Sequence, residues 1–320
     1  MELVNKYFPI LDNFGFVALK GVFGGDEDIE TAARTSYAKG TRTISDTRNL
    51  IRYLLRHNHT SPLEFVQFKF HVSCPIFVSR QWIRHRMSST NELSGRYSEL
   101  PECNYYPQQE NMTLQAKNNK QGRNSEQLDD ITFYEHDSAI SANTNEAWYI
   151  YRNMLDDGIA KELARIHLPL STYTEFYWSI DLHNLLHFLK LRCDSHAQFE
   201  IRQYANVIAG IVKECCPLAF EAWYDYKYKS FNWTRLDQIL FNKCKTEILA
   251  NKDYEKSVST IGESIGMSKR EVAEFIEKLQ IPTEQDFTLN LSTAKTAEHY
   301  QQIRLGISDA NQTCSNTGQS

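Results

Sequence analysis

Residues 84–97, RHRMSSTNELSGRY, place three arginines, a histidine, a glutamate and three serines within fourteen positions. Together with Arg80, the arginines Arg84, Arg86 and Arg96 lie in a stretch that holds a single acid, Glu92. Their guanidinium forks therefore lack local carboxylates, and an anion such as a phosphate would satisfy them, with serine, asparagine and backbone N–H groups fixing its orientation. A solvated face whose arginines pair with distant acids is the better reading of any one of them. For this density of Arg, Ser and Asn, a ligand site is favoured.

Other chemistry-bearing patterns are weaker. His183 and His187 in HNLLH have the i, i+4 spacing of an HExxH zinc hydrolase, but Asn184 stands where the general base would be, and no third ligand is identifiable, so no metal is expected. Seven cysteines occur without CxxC spacing, and the adjacent Cys215 and Cys216 suit no disulfide framework, which points to a reducing, cytoplasmic setting. Cys74, Cys193 and Cys216 read as inert packing. Neither GxGxxG nor GxxxxGK[ST] is present, so no dinucleotide or nucleotide is held by a glycine-rich loop.

The elements that must position these groups follow from periodicity. Residues 16–23 read as a strand, and a helix is expected near residues 30–37, followed by a loop over 38–49. Leu50, Ile51, Leu54 and Leu55 form the apolar stripe of a surface helix that ends before Pro62. In EFVQFKFHV, Val66, Phe68, Phe70 and Val72 alternate with Gln67, Lys69 and His71, the clearest strand of the chain. After Pro75 a helix is expected to put Gln81, Arg84 and His85 on one face and then to leave as a polar loop. Residues 107–130 offer almost nothing to bury and read as a flexible insertion. A helical region resumes near Ala147, STYTEFYWSI is a second core strand, and two helices follow, over 182–189 and from Ser195 on. Strands and helices are interspersed without a βαβ repeat, so the fold class is α+β: a mixed or antiparallel sheet flanked by helices.

The motif carries a resemblance. It agrees at every fixed position with the signature RHRxxSxNExSxRY of the flavin-dependent thymidylate synthases, through Arg84-His85-Arg86, Ser89, Asn91-Glu92, Ser94 and Arg96-Tyr97. HNHTSPLEF, PIFVSRQW and LKLRCDSHAQFEIRQYA are similar to further family stretches in the same order, over roughly residues 15–228. The resemblance implies reductive methylation of dUMP to dTMP, with FAD carrying the hydride and NADPH and 5,10-methylenetetrahydrofolate as co-substrates. It implies nucleotide contacts at Gln81, Arg84, Glu92, Ser94, Arg96, Arg165 and Arg192, with Arg192 stabilising the ionised uracil. It implies flavin contacts at His59, Ser61, Arg84, His85, Arg86, Glu92, Asp181, His183 and His187, and a homotetramer that assembles its sites from several chains. Asp181-Leu182-His183 replaces a common Asn-x-Arg, and Pro62-Leu63-Glu64-Phe65 replaces PFEH. The changes at Asp181 and His183, with the added C-terminal region, motivate an alternative, a catalytically altered nucleotide-binding regulator on the same scaffold.

Composition sets the limits. With 320 residues, 41% of them hydrophobic, the chain can bury a large core, and its net charge of -5 argues against wholesale binding of nucleic acid or anionic membrane. No secretory or membrane-spanning segment is expected. The expected division is a synthase-like domain over 1–230, a mostly helical extension over 231–308 and a disordered tail over 309–320. Within the extension, Gly266, Ser268 and Glu271 suggest a helix-turn-helix with a capping box, but eight Lys/Arg against eight Asp/Glu between residues 233 and 282 leave no basic footprint for nucleic acid.

Overall fold

The computed structural model describes residues 2–36, 46–117, 122–250, 254–280 and 284–304. Most of the loop expected at 38–49 and all of the tail expected at 309–320 lie outside them. The fold is α+β. Five strands, β1 (Tyr7–Ile10), β2 (Gly15–Phe23), β3 (Gln67–Pro75), β4 (Ser89–Glu92) and β7 (Tyr173–Asp181), form one antiparallel sheet in the order β1-β2-β3-β7-β4. A separate hairpin pairs β5 (Thr113–Gln115) with β6 (Arg123–Gln127).

Alternation dictates the faces. Phe68, Phe70 and Val72 of β3 and Phe176, Trp178 and Ile180 of β7 are buried, while Lys69 and Tyr177 between them are exposed. On the inner face lie α3 (Ile76–Trp82), α6 (Leu182–Arg192) and α7 (Phe199–Cys215). Trp82 meets Trp178, Phe176 and Phe188 at ring-centroid distances of 5.2, 5.4 and 5.0 Å. Burying each of these large rings contributes about 2–3 kcal/mol, so truncating Trp178 to alanine would cost about 3–5 kcal/mol. Tyr204 of α7 ties this layer to the sheet by donating to the Ser73 carbonyl at 2.9 Å.

Several expectations need correction. The first helix, α1 (Asp26–Arg34), starts earlier than residue 30, with three acids in its first turn complementing the helix dipole. The next, α2 (Thr47–Arg56), starts inside the loop expected at 38–49; it ends ahead of Pro62 as expected, with Asn58 in the left-handed conformation at φ 60°. Helix α3 ends at Trp82, so Gln81 is helical but Arg84 and His85 lie in the turn beyond it. The signature then continues as strand β4 rather than as a loop, because β7 offers its backbone as a partner from Ser179 to Phe176. Residues 107–130 hold the β5–β6 hairpin. Helix α4 (Asp130–Asp156) begins seventeen residues before Ala147, capped by Asp129, whose carboxylate accepts the Thr132 N–H at 3.0 Å. A short α5 (Lys161–Ala164) leads into Arg165.

The chain divides into two compact units, one running to Phe220 and resuming at Phe287, the other spanning Glu221–Asp286. The first thus takes back residues placed in the extension by composition. Lys295 exchanges backbone hydrogen bonds of 2.9 and 2.7 Å with Tyr7, and Tyr300 packs on Phe16. Helix α8 (Pro217–Trp223) contains the boundary, and α12 (Ala297–Arg304) closes the described chain. In the second unit, α9 (Arg235–Leu249), α10 (Tyr254–Ser264) and α11 (Lys269–Lys278) enclose Leu240, Cys244, Val258, Val272 and Phe275. The capping box of Ser268 and Glu271 forms after Gly266, whose φ of 89° needs glycine. No helix among the described residues is long and apolar enough to cross a membrane.

Candidate active site

The turn after α3 and one face of α6 enclose a cavity of about 620 Å³, lined by Arg84, His85, Arg86, Asn184, His187 and Arg192 with Met87, Ile180 and Leu191. Arg192, at the last position of α6, is half-buried, and burial lowers its pKa from the ordinary arginine value. Its Nε donates to His85 Nε2 at 3.1 Å and its Nη2 to the Gln81 carbonyl at 3.3 Å. Burial, and then the charges of Arg192 and His187, bring the His85 pKa down from 6.5 to about 4. At neutral pH His85 is thus an uncharged acceptor, with its proton on Nδ1. Arg84, Arg86 and Arg192 make no ion pair among the described residues. Three unneutralised guanidiniums beside apolar lining can take an anion that carries a flat, weakly polar ring.

The expected site residues fall into four places. Arg84, His85, Arg86, His187 and Arg192 come together at this cavity, and Gln81 stands behind it, touching Arg192 through its main-chain carbonyl. The two histidine rings are 6.1 Å apart.

Ser94, Arg96 and Arg165 gather instead at the far end of β4. There Ser94 Oγ accepts the Arg96 N–H at 3.3 Å, and Arg96 Nε donates to Glu162 at 3.0 Å. Gly95 is buried there, and Arg165 packs so close that a Cβ on Gly95 would come 3.0 Å from Arg165 Cδ. Glu92 lies between, accepting from Thr174 Oγ1 at 2.6 Å. In the chain, β4 runs between the two groups, a strand about 10 Å long.

His59 and Ser61 form the third place, exposed between α2 and the short 3₁₀ turn Ser61–Phe65.

Asp181 and His183 open α6. The Asp181 carboxylate accepts Asn184 N–H at 2.9 Å and Asn184 Nδ2 at 2.7 Å, so it caps the helix and orients an amide that lines the cavity. Asn184 entered the sequence reading only as a missing glutamate; the D-x-x-N spacing at a helix start was the signal for it. Gln198 was also missed. It accepts a hydrogen bond from Gln81 Nε2 across 117 residues of chain, and it lies within the stretch LKLRCDSHAQFEIRQYA, which was the signal for it.

A model of the family described as thymidylate synthase complementing protein matches residues 19–218. A flavin-dependent thymidylate synthase of Thermus thermophilus is 46% identical over 276 residues, covering 86% of this chain and 97% of that protein. The chain belongs to the flavin-dependent thymidylate synthase family. A Wolbachia pipientis member of the family is 44% identical over 253 residues, 79% of this chain and 87% of that one. Among solved structures, the UMP/dUMP methylase PolB of Streptomyces cacaoi, crystallised with 5-Br dUMP, superposes with a TM-score of 0.59 at 32% identity, over 66% of this chain and 94% of that chain. An alignment of 276 residues is longer than the stretch 15–228, so the likeness to the family extends into the C-terminal region. The cavity and the signature sit inside the stretch that the family model matches.

Proposed function

We propose that this chain catalyses the reductive methylation of dUMP to dTMP in the cytoplasm, using FAD, NADPH and 5,10-methylenetetrahydrofolate, as a homotetramer. The observation that carries the reading is Arg192, half-buried and held by His85 and Gln81 in a cavity with two further unpaired arginines. A guanidinium has five N–H donors, and two are committed here, so three remain for the charge that develops on an ionised uracil. His85, kept neutral, takes one donor without competing for that charge. Gln81, beside Arg192, supplies an amide to the base.

The cavity also fits a flavin dinucleotide. Arg84 and Arg86 suit its diphosphate, Asn184 and His187 its polar edges, and Ile180, Met87 and Leu191 its ring system. Once bound, the flavin supplies the reducing equivalents. A cysteine nucleophile is not required, and burial pushes the Cys74 and Cys193 thiols well above their ordinary pKa, so neither of these two is a ready thiolate.

Ser94, Arg96 and Arg165 would grip the nucleotide phosphate. Their separation from the cavity along β4 supports sites shared between copies of the chain, as does the exposure of Tyr97 at 81% and Met87 at 71% within the signature. His59 and Ser61 would complete the flavin site in the same way. The homologous methylase crystallised with a dUMP analogue supports the choice of substrate.

The test is release of tritium from dUMP labelled at carbon 5, with FAD-loaded protein, folate and NADPH. Release together with dUMP-stimulated NADPH oxidation is expected. Nucleotide binding without any release would leave a regulator on the synthase scaffold.

A further inference from the structure

Glu200, the second residue of α7, is 3% exposed. A carboxylate buried this deeply needs a partner, since desolvating it alone is costly. Its Oε1 accepts from Arg123 Nη2 at 2.6 Å and from Tyr105 OH at 3.3 Å, whereas its Oε2 is buried without a hydrogen-bond partner. Arg123 lies on β6, 77 residues away in the chain. Its other arm donates to the Asn111 carbonyl, and its guanidinium stands 5.3 Å from the Phe199 ring, with Arg202 at 5.9 Å from the same ring. The hairpin therefore holds the first turn of α7 through one charged side chain.

That turn also reaches the active site. Gln198, at the N-cap position of α7, makes no capping hydrogen bond with its side chain, and Gln81 Nε2 donates to its amide oxygen. The Gln81 carbonyl in turn accepts from Arg192. We propose that Arg123 is a positioning residue for nucleotide binding: by pairing with Glu200 it fixes the first turn of α7, so that Gln198 holds the Gln81 amide in one orientation toward the pyrimidine. The hairpin in residues 107–130 is then a brace of the nucleotide site. This inference rests on the proposed contact between Gln81 and the base.

The experiment compares KM for dUMP, kcat and bound FAD among full-length variants. Arg123→Ala should raise KM about tenfold, the scale expected when a buried charge loses its partner and the turn relaxes, with kcat and FAD content little changed. Gln198→Leu should raise KM similarly, and the double variant Arg123→Ala/Gln198→Leu no further, because both act along one path. Adding Glu200→Gln to Arg123→Ala should bring KM back toward wild type, since no buried charge is then left alone. An unchanged KM in folded Arg123→Ala protein, or effects of Arg123→Ala and Gln198→Leu that multiply, would overturn the proposal. Should Arg123→Ala not fold, Arg123→Lys, which keeps the charge but loses the fork, should raise KM about threefold, and no rise would count equally against it. Gln81→Ala separates the two levels: an unchanged KM there removes the base contact itself, whereas a raised KM with a silent Arg123→Ala removes only the brace.

Discussion

The two ends of the signature differ in how their arginines are satisfied. Before β4, the exposed Arg84 and Arg86 join the half-buried Arg192 around a cavity where, among the described residues, none of the three has a carboxylate partner, and His85, which accepts from Arg192, is held neutral. After β4, Arg96 is 58% exposed and paired with Glu162, while Arg165 packs across Gly95. An unneutralised, half-buried guanidinium is pre-organised for a charge that develops during reaction. An exposed and already paired one is suited to gripping a charge that is always present. On the proposed function, this difference gives the chemistry to Arg192 and the binding to Arg96.

The most demanding test is Arg192→Ala. Removing a pre-organised donor from developing charge should lower kcat by about a thousandfold, with FAD retained, as read by single-turnover kinetics and the flavin spectrum. Equal loss of flavin and turnover would make Arg192 a cofactor ligand instead. Next, Arg96→Ala should raise KM for dUMP by about ten- to a hundredfold and leave kcat within a few-fold, as expected for a lost charged hydrogen bond to phosphate. If its kcat fell as far as that of Arg192→Ala, the contrast between the ends would fail.

A smaller effect concerns acid. As pH falls below 6.5, the unfolded chain protonates His85, whereas the folded chain resists until about pH 4. The unfolded state therefore binds more protons across that window, and stability falls as pH is lowered through it. His85→Gln keeps an acceptor for Arg192 but cannot titrate, so its melting temperature should decline less steeply between pH 6.5 and 4. Parallel slopes for the two proteins would show that His85 is not the titrating group.

Much of this was legible from sequence where a period or a motif was at work. Strands β3 and β7 and helices α6 and α7 announce themselves because one face of each is buried. Strand β4 does not, since Ser89, Thr90, Asn91 and Glu92 are all exposed and the strand exists by pairing with β7, not by propensity. The first half of α4 was hidden for a related reason. From residue 130 to 146 it buries only Phe133 and Thr144, too few for a periodic signal. At the site, the residues of the signature and Arg192 were legible as chemistry, whereas Asn184, Gln198 and the Arg123–Glu200 pair depend on contacts that only folding creates.

The smallest effect sharpens the comparison most. Glu162 and Arg96 are both about half-exposed, a kind of pair worth about 0–1 kcal/mol, so a phosphate arriving at Arg96 has a weak competitor to displace. If Arg96 is a binding residue waiting for an anion, Glu162→Gln should lower KM for dUMP about twofold, because it removes both the competitor and a repelling charge. The gap between variant and wild type should narrow as salt is raised, since the pair is exposed and added ions progressively screen it. A KM that rises in Glu162→Gln, at any salt, would mean that Glu162 aims Arg96 instead of competing for it, and the second end of the signature would then be pre-organised as the first is.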